Sequence, residues 1–83
     1  LGAVMIFHPD EAIEMERRHI LEGEVRVAHQ EEIVSRLESR DNSSESVLRS
    51  RELLAMFRDF IKTAKERLAQ LERHYPDKPP ESN

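Results

Sequence analysis

The feature that most limits what this chain can fold into is the spacing of residues in its second half. Val47, Ser50, Leu54, Phe57, Ile61, Ala64, Leu68, Leu71 and Tyr75 alternate three and four residues apart without a break. An α-helix returns to the same face about every 3.6 residues, so this alternation draws one continuous stripe along a helix, whereas along a strand it would scatter over both faces. Pro76 ends the stripe, because proline lacks the backbone donor and disfavours helix at the residue before it. The spacing predicts a second helix over about 44–75 and a disordered tail over 76–83.

A weaker stripe precedes it. Ile13, Ile20, Val27 and Val34 recur every seven residues, with Glu16, Gly23, Gln30 and Leu37 at the intervening half-heptad positions. Three of those four are poor core residues, so the periodicity predicts a heptad seam with weak members. The run His8-Pro9-Asp10-Glu11 reads as a helix start: proline tolerates the first helical position, and the acids suit the positive end of the helix dipole. Helix one is predicted over about 9–40, after an N-terminal extension of 1–8.

Between the stripes lies Ser39-Arg40-Asp41-Asn42-Ser43-Ser44, the polar, small-residue cluster in the middle of the chain. Asn42 has capping-box spacing to Glu45, and Ser43 or Ser44 offers an alternative cap, which places the turn at about 41–43. Folding helix one back about this turn sets Leu37 near Val47, Val27 near Phe57, Ile20 near Ala64 and Ile13 near Leu71. It also sets Gly23 against Phe57 and Ile61. A mid-helix glycine costs about 1 kcal/mol relative to alanine, and close packing is the economical reason to tolerate it. The predicted fold is all-α: an antiparallel, coiled-coil-like two-helix hairpin, dimerising into a four-helix bundle.

The dimer is expected from size. An 83-residue chain with no cysteine has no disulfide or thiolate metal site to reinforce a small core, which leaves self-association. Leu53, Met56 and Phe60 widen the apolar face of helix two beyond what one facing helix covers, and Leu21, Val25, Ala28 and Ile33 lie off the seam of helix one. A second copy covers both sets. The residues expected to form the core and interface are Ile13, Ile20, Gly23, Val27, Gln30, Val34, Leu37, Val47, Leu54, Phe57, Phe60, Ile61, Leu68 and Leu71. Gln30 is read either as a buried polar residue that fixes register and oligomer state or as a residue exposed at the seam edge.

Charge narrows the function classes. The net charge of −4 argues against a nucleic-acid binder, which needs a concentrated basic face. Acids outnumber bases nine to five between Pro9 and Arg40, while bases lead seven to five between Ser44 and Tyr75, so the two halves attract. No apolar run approaches the roughly 18 residues of a membrane span, and the default location is the cytoplasm. The basic residues of helix two, from Arg49 to Arg73, are interspersed with acids at helical spacing, such as Glu45 with Arg49, Asp59 with Lys62 and Lys62 with Glu66; this marks a salt-bridged surface.

Candidate chemistry is thin. Glu16-x-x-His19 and His29-x-x-Glu32 place a carboxylate and an imidazole on one helix face, as bundle di-iron sites do. Such a site needs the motif on two helices, and helix two has no histidine before His74, so these pairs are read as solvated charge. The two glycines, Gly2 and Gly23, form no phosphate loop, and nothing gathers a nucleophile and base on rigid elements. No catalytic residue, metal site or cofactor is expected. The leading expectation is a small protein-interaction or oligomerisation module, a homodimer or higher homo-oligomer with a further protein partner. The alternative is a regulatory or nucleic-acid-associated accessory protein using the basic residues of helix two, and the third reading is a metal-binding bundle.

The segment His19-Ile20-Leu21-Glu22-Gly23-Glu24-Val25-Arg26-Val27-Ala28-His29-Gln30, continuing to Leu37, with Leu53-Leu54-Ala55-Met56-Phe57 after the turn, resembles a group of small uncharacterised proteobacterial α-helical proteins. Their shared pattern reads H-I/V-x-x-G-E-x-x-I/V-x-x-Q. The match covers about half of the chain and stops at Phe57. It implies a bacterial, cytoplasmic helical protein in which Gly23 and Gln30 are packing and register residues.

Overall fold

The protein is seen here as a computed structural model that describes residues 7–76. The tail expected over 76–83, apart from Pro76, and most of the N-terminal extension lie outside the described residues. The described residues form two helices: α1 spans Pro9–Arg40 and α2 spans Glu45–His74. They pack against each other as an antiparallel hairpin, the all-helical architecture that the two stripes call for. No described helix is long and apolar enough to cross a membrane.

Helix ends follow local chemistry. α1 starts without a side-chain cap; Pro9 occupies its first turn, where a missing donor costs nothing, and the Ala12 N–H donates to the His8 carbonyl at 3.1 Å. α2 is capped by Ser44, whose Oγ accepts from the Val47 N–H at 3.2 Å. Of the three caps offered by the sequence, Ser44 therefore serves. Ser43 instead closes the turn on Asp41, its N–H donating to Oδ1 at 3.1 Å. Arg51, on the first turns of α2, donates from Nε to Glu38 at 2.8 Å and from Nη2 to Asn42, tying both helices to the connection between them. No described residue has positive φ, so the chain reverses without help from glycine.

The core is a single seam. Ile13, Ile20 and Val34 of α1 are buried with Val47, Leu54, Ile61 and Ala64 of α2, and Val47 and Ala64 are fully enclosed. Val27, Leu37, Phe57, Leu68 and Leu71 are half-buried at the margins of the stripe. At the open end, the Phe7 and Tyr75 rings stand 5.3 Å apart at a tilt of 49°, so a side chain two residues before α1 meets the residue after α2.

Candidate functional site

Two residues that are weak by composition prove to be central to the seam. Gly23 is buried, and a Cβ placed on it would lie 2.9 Å from Ile61 Cγ1, 3.4 Å from Ile61 Cδ1 and 3.9 Å from Phe60 Cδ1. The helices approach so closely here that a methyl group has no room. The expected aromatic neighbour was Phe57; Phe60 takes that place, because a residue just outside the stripe curls over the space that glycine leaves open. Gln30 is buried as well, 5% exposed, rather than exposed at the seam edge. Its Nε2 donates to Ser50 Oγ at 2.7 Å and to the Ser50 carbonyl at 3.0 Å. Ser50 is only 8% exposed, so the two form a polar layer inside an apolar seam.

Glu16 departs from expectation. It was read as solvated charge, yet its side chain is only 13% exposed, and Oε1 is enclosed without a hydrogen bond. Arg67 Nη2 approaches that oxygen to 3.4 Å, a distance that makes an ionic contact although the alignment for a hydrogen bond is missing. The two residues line a groove at the open end with Gln70, Leu71, His74 and Tyr75. His74 Nδ1 donates to the Gln70 carbonyl at 3.0 Å. Glu16 and His74 are thus held by Arg67 and by the helix backbone. His19 is half-buried and His29 exposed, and no three metal-ligating side chains gather among the described residues.

The two flanks of the seam differ in kind. On one, the residues that directly follow seam positions form ion pairs across the hairpin: Glu38 with Arg51, Glu31 with Arg58 at 2.9 Å, and Arg17 with Glu72 at 3.0 Å. These rungs recur at multiples of seven residues. Glu24 and Lys65 occupy the missing rung and line a shallow groove on the same flank. The two ion pairs nearer the turn, and the residues at the missing rung, place the acid on α1 and the base on α2, as the charge division between the halves requires; the last rung, Arg17 with Glu72, reverses them.

The other flank consists of the residues that directly precede seam positions, which a helix turns to the opposite side. Here stand Ile33 of α1 and Leu53, Met56 and Phe60 of α2. Leu53, Met56 and Phe60 are 40%, 66% and 45% exposed. Of the residues expected in the core or interface, Phe60 is the one that remains exposed, with its Cδ1 3.9 Å from where a Cβ on Gly23 would stand. Leu21 and Val25, also expected off the seam, are exposed on α1.

No family model, curated protein or solved structure matches this chain.

Proposed function

We propose that this protein is a non-catalytic interaction module that completes its core by self-association, as a homodimer built as a four-helix bundle. The observation that carries this reading is the contrast between the flanks. One is sealed by ion pairs, while the other leaves three large apolar side chains 40–66% exposed at i, i+3 and i+7 on α2. Such a stripe is the signature of a helix that meets a second apolar surface. A single-seam hairpin without cysteine belongs to the size class in which a partner supplies the missing burial.

The accessory-protein reading has less support. Of the basic residues on α2, Arg49, Arg51, Arg58 and Arg67 are each engaged with a glutamate. A nucleic-acid surface needs such side chains free for phosphate.

Sedimentation equilibrium at micromolar concentration tests the proposal. A mass of at least twice 9.7 kDa is expected, and a folded, helical monomer at that concentration would overturn it.

A further inference from the structure

We infer that the second copy docks on the flank carrying Ile33, Leu53, Met56 and Phe60, with α1 of each chain lying antiparallel on α2 of the other. This inference rests on the self-association proposed above and fixes its geometry.

The opposite flank is excluded by its chemistry. Its centre is occupied by a row of cross-helix ion pairs, with side chains about half exposed, and covering them would strip water from every rung. Among the described residues the apolar flank has one cross-helix ion pair, Glu16 with Arg67, at its open end. Its middle is Ile33, Leu53, Met56 and Phe60. These are the aliphatic, aromatic and thioether side chains that form interface centres.

The borders of this flank select both the occupant and the stacking. Along α1 the bordering charges are mainly basic: Arg26, Arg36 and Arg40, against the acids Glu22 and Glu32. Along the outer side of α2 runs an acidic column, Glu45, Glu52, Asp59 and Glu66, at seven-residue intervals. All of these are exposed, and Arg26, Arg40, Glu52, Asp59 and Glu66 enter no ion pair among the described residues. A surface with one basic edge and one acidic edge complements itself after a two-fold rotation.

Two such rotations bring the flanks face to face. An axis across the helices would lay α2 on the partner's α2 and set acidic column on acidic column. An axis along the helices lays α1 on the partner's α2, sets the basic border on the acidic column twice, and keeps residues at their own level. Arg26 then meets the level of the partner's Asp59, and Arg40 that of the partner's Glu45. Glu32 meets the level of the partner's Glu52, a like-charged pair, but Arg36 already stands 3.6 Å from Glu32.

The native chain has no cysteine, so position-specific cross-linking is readable directly. Glu22→Cys and Thr63→Cys place single thiols at one level on the outer side of this flank, on α1 and α2. The two variants are mixed in equal amounts, equilibrated, and treated with a short thiol-to-thiol reagent, and the products are resolved by mass. The inferred stacking yields mainly the mixed product, one chain of each variant. Same-variant products in the majority would overturn this stacking while leaving the dimer intact, and a monomeric mass for the mixture would overturn the dimer itself. In a parallel measurement, Glu52→Lys with Asp59→Lys is expected to weaken self-association at least about tenfold. Adding a chain carrying Arg26→Glu with Arg36→Glu is expected to restore it, and an unchanged affinity in the first variant counts against the inference.

Discussion

Gly23 and Ile61 stand so close across the hairpin that a methyl group on the glycine would lie 2.9 Å from Ile61 Cγ1. Two effects oppose each other at this site. Alanine gains about 1 kcal/mol of helix propensity over glycine. Forcing a methyl into a closed interior costs about 1–3 kcal/mol, and Cγ1 lies near the root of the isoleucine side chain, where a rotamer change gives little relief. Gly23→Ala is therefore expected to lower stability by about 1 kcal/mol in denaturant unfolding. In a double-mutant cycle with Ile61→Ala the penalty should shrink, because the obstructing atom is gone. A Gly23→Ala chain more stable than the wild type would show that the helices have room to part.

The polar layer makes a different prediction. Gln30→Ala leaves the Ser50 hydroxyl without its amide partner in a buried setting, at a cost of about 1–3 kcal/mol. Gln30→Leu combined with Ser50→Ala removes both polar groups together and is expected to stay within about 1 kcal/mol of wild type. Equal losses in the two variants, read from chemical denaturation, would mean that side-chain volume rather than hydrogen bonding governs this layer.

The ion-pair flank and the seam should separate cleanly by magnitude. Arg58 and Glu31 are each half exposed or more, so Arg58→Ala is expected to cost less than about 1 kcal/mol and to cost less still in high salt. Ile61→Ala, three residues further on, empties a buried position and should cost about 2–5 kcal/mol with no salt dependence. Thermal unfolding at low and high salt distinguishes the two.

At the turn, Ser44→Ala removes the oxygen that accepts from Val47 and is expected to lower stability by about 1 kcal/mol. Asn42→Ala, which leaves that cap in place, should cost less. If Asn42→Ala proves the more damaging, the helix begins earlier in solution than it does here.

The sequence made some of this legible and hid the rest for definite reasons. The hairpin and its seam follow from the three-four spacing around Leu54, Ile61 and Ala64, since only one helix face collects those residues. The turn follows from the cluster at Asp41 to Ser44, although three adjacent side chains competed for the cap and only geometry chose Ser44. Same-helix ion pairs were anticipated from i, i+4 spacing, and Glu45 with Arg49 forms at 2.7 Å. Neither Asp59 with Lys62 nor Lys62 with Glu66 forms among the described residues. The cross-helix rungs were not anticipated individually, because they join residues that are not level. Side chains lean toward the N-terminus of their own helix, so in an antiparallel pair each reaches past the residue opposite it to one further along. Glu16 was hidden for a related reason: its burial depends on Arg67 leaning over it from a position outside the seam.

The reversed rung between Arg17 and Glu72 gives the hairpin a tooth that fits only one notch. Sliding α2 by one heptad in one sense brings Arg17 opposite Lys65; in the other it brings Glu24 opposite Glu72. Either slide sets like charges together. Had all the rungs carried acid on α1, a displaced pairing would lose contacts only at the ends and meet no repulsion. The latter slide also carries Gln30 level with Phe57 and Ser50 level with Leu37, stranding both polar groups among hydrocarbon. A seam of repeating aliphatic residues is by nature indifferent to such displacement, and here one inverted charge pair and one amide work against it.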